Sequence, residues 1–114
     1  MVLNAGIVNI MDLLAGDAGG KQFTQIVVGT SNAPVTGTET ALTGQIAKNI
    51  ASWNNLGNGF IIFNSTLDAG DPAMVIQEMG LLNQSGVLCY RVVISPVSKV
   101  LGVTFSINYK IRIQ

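Results

Sequence analysis

Few residues in this chain can do chemistry, and the most suggestive two flank a turn. Glu78 and Arg91 stand on either side of Asn83-Gln84-Ser85-Gly86 in the stretch IQEMGLLNQSGVLCYR. Asn and Ser bond their own backbone and Gly accepts a positive φ, so these four residues read as the turn of a hairpin. Closed there, the hairpin sets Leu82 opposite Val87, Leu81 opposite Leu88, Gly80 opposite Cys89, Met79 opposite Tyr90 and Glu78 opposite Arg91. Opposite charges facing across two strands stabilise them by roughly 0.2–1 kcal/mol and penalise slipped registers. Inside an apolar run the pair is expected to be partly buried, and to act as a register pin.

The remaining groups form no catalytic constellation. There is no histidine, which removes the commonest general base and most zinc and copper sites. Cys89 is the single cysteine; it allows no intrachain disulfide and reads as a small buried hydrophobe. The other carboxylates are Asp12, Asp17, Glu39, Asp68 and Asp71. Asp68 and Asp71 share the loop LDAGDP, where oxygen ligands could gather as in a calcium loop; a solvated loop is the preferred reading. Gly16 to Lys21 has the look of a phosphate loop, but it is one residue short and Gln22 replaces the Ser or Thr. Catalytic residues, metals and cofactors are therefore all expected to be none, and the chain is not expected to be an enzyme. Trp53, in ASWNNLGN, reads as a core or interface residue, with stacking on a sugar as the alternative.

Composition narrows the class further. Only 11% of the 114 residues are charged and 48% are hydrophobic, against about 25% charged in a typical domain. Lys and Arg balance Asp and Glu, for a formal charge of zero, which favours association. Mean hydropathy is +0.47, yet no apolar run approaches the ~18 residues of a membrane span. A subunit that buries surface against partners fits both facts. Arg91, Lys99, Lys110 and Arg112 follow one another without an acid but are spread over two strands. Nucleic-acid binding would cluster them with exposed aromatics, so neither nucleic acid nor membrane is an expected partner.

The elements that must position these residues follow from periodicity. Asn4 to Ala15 predicts a helix, capped by Asn4 and ended by Gly16, with Ile7, Ile10, Met11 and Leu14 on one stripe. Phe23 to Val28 is a β-branched strand stopped by Gly29. Thr38 to Ile50 reads as a short second helix capped by Thr38 or Thr40, and Ile50 to Leu56 as a short strand around Trp53. Phe60 to Leu67 is a strand, and the hairpin's second strand runs to Ile94, where Ser95-Pro96 breaks it. Val103 to Gln114 alternates strictly, with Val103, Phe105, Ile107, Tyr109, Ile111 and Ile113 on one face. At that length it would span about 40 Å and reach a neighbouring subunit. Phe105, Tyr109, Lys110 and Arg112 are thus candidate interface residues. The expected fold is a single α+β domain over 1–114, mainly β: an antiparallel sandwich with one or two short N-terminal helices.

Four segments, in order, resemble small bacteriophage virion proteins of the tail-fibre and tail-collar attachment type. They are LNAGIVNIMDLL, FTQIVVGTSNAP with TGTETAL, TLDAG to IQEMGLLNQSGVLCYRVV, and SPVSKVLGVTFSINYKIRI. The chain departs from the family pattern at Gln45 and Lys48, where Glu and Arg are common, and at Leu82, where an aromatic is. The resemblance implies a non-enzymatic virion subunit, assembled in the bacterial host cytoplasm. It would associate with itself, as a trimer by preference, and with other virion proteins of a tail, baseplate or fibre. Members of the fibre type continue into a shaft and tip, so a chain ending at Gln114 is not expected to be a complete adhesin. The rival expectations are a capsid decoration protein and, from another class, a carbohydrate- or receptor-binding module.

Overall fold

The computed structural model describes residues 1–113, so Gln114 at the end of the predicted last strand lies outside the described residues. One helix, α1 (Asn4–Ala15), precedes seven strands: β1 (Phe23–Gly29), β2 (Ile46–Asn49), β3 (Ser52–Gly57), β4 (Phe60–Leu67), β5 (Met74–Asn83), β6 (Leu88–Lys99) and β7 (Phe105–Arg112). They form two antiparallel sheets, ordered β2-β1-β5-β6 and β3-β4-β7. The chain is an α+β protein, mainly β, built as an antiparallel sandwich. Between the sheets, Ile26, Val28, Leu67, Ile76, Leu81 and Ile107 are buried.

The outer face of the four-stranded sheet is buried too. Val27, Leu82 and Leu88 pack there with Leu3, Leu42 and Val35. These come from the N-terminal segment and from the long β1–β2 loop. That loop is where a second helix was expected, and none forms. Gly37 and Gly44 take φ of 97° and 57°, which a right-handed helix does not admit. The loop's backbone groups are also committed elsewhere: the Thr43 carbonyl accepts the Thr30 N–H at 3.1 Å, and the Leu42 N–H donates to Gln45 Oε1 at 3.0 Å. Tertiary contacts override a weak helical propensity here. The chain then changes sheets at Ile50-Ala51, and the strand around Trp53 forms as β3.

Helix α1 has the predicted bounds but not the predicted cap. Leu3, not Asn4, is its N-cap, so no side chain caps it; the Asn4 N–H donates instead to the Gly37 carbonyl at 2.8 Å. Gly6 and Asn9 are its buried residues. A Cβ at Gly6 would fall on the Cys89 carbonyl, so glycine is what lets the helix lie against the β6 backbone. Asn9 accepts from the Lys21 N–H and donates to its carbonyl, both at 2.8 Å, and also accepts from Asn83 at 3.0 Å. Asn83 in turn accepts the Ser85 and Val87 amides that shape the hairpin turn. The predicted turn is present, and a buried asparagine pair ties it to the helix.

The hairpin register differs from the expected one. Leu82 pairs with Leu88, Leu81 with Tyr90, Gly80 with Arg91, Met79 with Val92 and Glu78 with Val93. Leu82 pairs one residue beyond the expected Val87, and an irregularity between Leu81 and Leu82 leaves Cys89 as an extra residue on β6, so the pairs from Leu81 to Glu78 stand two residues from the expected ones. Ser95-Pro96 does not end β6; it lies in a second irregularity, beyond which Val97, Ser98 and Lys99 pair with Ile76, Val75 and Met74. Proline is tolerated because β6 is an edge strand of its sheet. The last strand is shorter than expected. All eight residues of β7 pair with the eight of β4, and Val103 and Thr104 fall in the approach to it. The length of the partner, not the length of the alternating pattern, sets the ladder.

Candidate functional site

The expected charge pair exists, in a different geometry. Arg91 Nε lies 2.8 Å from Glu78 Oε1, and the two residues are 3% and 1% exposed. Arg91 stands opposite Gly80, so its side chain shares a face with Glu78 two positions along β5 and reaches it diagonally. Arg91 also holds Glu39, Nη1 to Oε2 at 3.2 Å. The other Glu78 oxygen accepts the Ser31 and Thr43 amides, each at 2.9 Å. One carboxylate thereby closes both ends of the β1–β2 loop onto the sheet. A Cβ on Gly29 would come within 2.5 Å of that oxygen, so the clamp also needs glycine at the end of β1.

Glu39 pins the middle of the same loop. It accepts the Thr36 hydroxyl and the Thr36 and Gly37 amides. The Thr36 hydrogen bond, with the backbone amides, holds its carboxyl down at about 2 against an opposing effect of desolvation. No buried side-chain nitrogen or oxygen among the described residues lacks a partner. Satisfied charges with no open face make a structural clamp.

The other candidate groups are similarly occupied. Lys48 bridges Asp68 at 3.2 Å and Asp71 at 2.8 Å, and Lys99 donates to the Asp71 carbonyl at 2.6 Å. Hydrogen bonding to Lys48 lowers the Asp71 pKa, and Asp71 raises that of Lys48. The acidic loop is thus neutralised by ammonium groups. No cluster of three or more His, Cys, Asp or Glu is placed to hold a metal among the described residues. Cys89 is fully buried and desolvation pushes its thiol up to about 11. The Gly16–Lys21 connector joins a helix, α1, to a strand, β1, the reverse of the strand–loop–helix order of a phosphate loop.

The candidate interface residues separate by face. Phe105 and Tyr109 point between the sheets; Tyr109 is 5% exposed and belongs to the core, so it is not available to a partner. Burial and nearby Tyr90 raise its phenol pKa. Lys110 and Arg112 lie on the outer face, each 5.1 Å from the centre of the Phe60 ring. Alternation predicted that division; the exclusion of Tyr109 from contact follows from the closed sandwich.

Trp53 is neither core nor solvent-stranded. It pairs with Phe63 on β4 and remains 64% exposed. It stands at the mouth of a groove of about 610 Å³ at the end of the sandwich where β1 begins. Ile10, Leu13 and Leu14 of α1 form one wall, Phe23, Phe63 and Tyr90 lie along it, and Ile111 and Ile113 close the other side. Phe23 contacts Phe63 and Tyr90 edge-on, with ring centres 5.9 and 5.8 Å apart. The apolar stripe of the helix is turned outward beside this groove: Ile7, Met11 and Leu14 are exposed and Ile10 is half-buried. A signal for this was present. Val8 and Leu13 make α1 apolar outside the stripe as well, and a helix apolar on more than one face leaves one of them uncovered when it lies on a sheet.

No helix among the described residues is long and apolar enough to cross a membrane. Comparison with family models, with curated proteins and with solved structures finds no match to this chain.

Proposed function

We propose that the chain is a non-enzymatic, self-associating structural subunit of a bacteriophage virion, in a tail, baseplate or fibre. The observation that carries this reading is a row of large apolar side chains on the surface. On α1 and the groove rim, Met11, Leu14 and Trp53 are each more than half exposed, in a chain with only 11% charged residues. Exposed apolar surface on this scale marks an interaction site. The four ordered segments that resemble virion proteins supply the assembly. Its mechanism is geometric: a doubly covered sheet clamped by Glu78 and Arg91 gives a rigid body, and the apolar surface supplies subunit contacts. Mass spectrometry of separated heads and tails from particles that encode the chain tests this. Recovery with tails is expected; recovery with heads alone would make it a decoration protein, and absence from purified particles would remove the virion reading.

One observation favours a second reading. Trp53 is 64% exposed beside the groove, a position from which an indole can stack on a sugar. Glycan-array binding by the wild type that is lost in Trp53→Ala would favour a carbohydrate-binding module over a scaffold.

A further inference from the structure

We infer that α1 and the groove rim beside it form a two-fold interface with a second copy of this chain. The inference rests on the proposed self-association and names the surface that performs it. Ile7, Met11 and Leu14 follow one another at steps of four and three residues, the spacing of a coiled-coil seam. They face outward because Gly6 and Asn9 are the residues that seat the helix.

The area fits one partner of this size. Val8, Met11, Leu13, Leu14, Trp53 and Ile113 are 57%, 61%, 43%, 84%, 64% and 69% exposed. Together they present roughly 800 Å², the share that each partner contributes to a standard interface of about 1,600 Å². A typical monomer's largest apolar patch is about 300–600 Å². The surface is continuous, since Leu13, Leu14, Trp53 and Ile113 line one groove and Met11 and Val8 adjoin them on the helix.

Charge points to the same partner. The groove lining holds Gln22 and Thr24 as its polar residues apart from Tyr90, and no charged side chain. A charged partner would leave its own groups unpaired against it, whereas an identical surface would not. The chain's formal charge is zero, so two copies do not repel. One self-complementary patch used whole gives a closed two-fold dimer, while a three-fold ring needs two different patches on each subunit.

Light scattering after size exclusion reads the result directly. The wild type is expected at twice the 12.0 kDa chain mass, and Met11→Asp and Leu14→Asp at the monomer mass. Both sites are well exposed, and circular dichroism checks that the variants fold. Leu101→Asp, at the opposite end of the sandwich and also exposed, should stay dimeric. Trp53 is the single tryptophan, so wild-type emission should move to shorter wavelength as concentration rises, and that of Leu14→Asp should not. A wild type that is monomeric at every concentration overturns both the interface and the self-association it rests on. Association that survives both aspartate variants overturns the interface and leaves self-association standing. A three-fold mass overturns the two-fold arrangement.

Discussion

Arg91 Nε and Glu78 Oε1 are 2.8 Å apart, although Arg91 pairs through its backbone with Gly80 and Glu78 with Val93. The pair is buried and therefore consequential. Arg91→Ala leaves Glu78 uncompensated and should cost about 3–5 kcal/mol, read as a lowered urea midpoint. Replacing both by leucine should not recover the loss. Glu78 also satisfies the Ser31 and Thr43 amides, and each buried donor left without a partner costs about 1–3 kcal/mol. A double variant as stable as wild type would show that these amides find other partners.

Gly6→Ala should act on the helix. The added methyl would meet the Cys89 carbonyl, and overpacking of this kind costs about 1–3 kcal/mol. Hydrogen exchange should then show faster opening of α1 and of the Met1–Leu3 segment, whose Leu3 N–H bonds the same carbonyl at 2.9 Å. The strands β4 and β7 should be unaffected. Unchanged protection of α1 would mean that the helix can lift without losing its anchor.

Acid should loosen the β1–β2 loop through Glu39. The Thr36 hydroxyl and the loop amides lower its pKa from 4.5 to about 2 on folding. A folded pKa below the unfolded one contributes stability that is complete above pH 4.5 and is lost as the pH falls towards 2. The stability of wild type should decline across that window. In Glu39→Gln the decline should be shallower, from a lower starting stability. Parallel curves would show that other carboxylates dominate the acid limb.

The thiol of Cys89 should be inert in the folded protein. It is fully buried, with its ionisation pushed up to about 11, and the thiolate is the reactive form. At pH 8 a disulfide reagent such as dithionitrobenzoate should titrate no thiol until denaturant is added, and then one per chain. Rapid labelling without denaturant would reveal local opening of β6.

Local pattern was enough for several elements. The bounds of α1 and β4, the position of the hairpin turn, the division of β7 into a wet and a dry face, and the meeting of Glu78 with Arg91 all follow from residues close in sequence. Composition and periodicity also determined the class, an α+β chain with a dominant antiparallel sandwich. The rest depended on partners far along the chain. The turn pairs Leu82 with Leu88 and Cys89 forms a bulge, and these two one-residue offsets together turned a facing pair into a diagonal one. In the Thr38–Ile50 segment the Thr43 amide goes to Glu78, the Leu42 amide to the Gln45 side chain, and the Thr43 carbonyl to the Thr30 amide, so a weak helix became a clamped loop. Gly6 and Asn9, the least hydrophobic positions of α1 apart from Asn4 and Asp12, seated it because a close backbone approach and a buried hydrogen-bond network outweighed hydrophobic burial there. Sequence alone determined that α1 carries an apolar stripe; only the tertiary structure decided that the stripe faces outward.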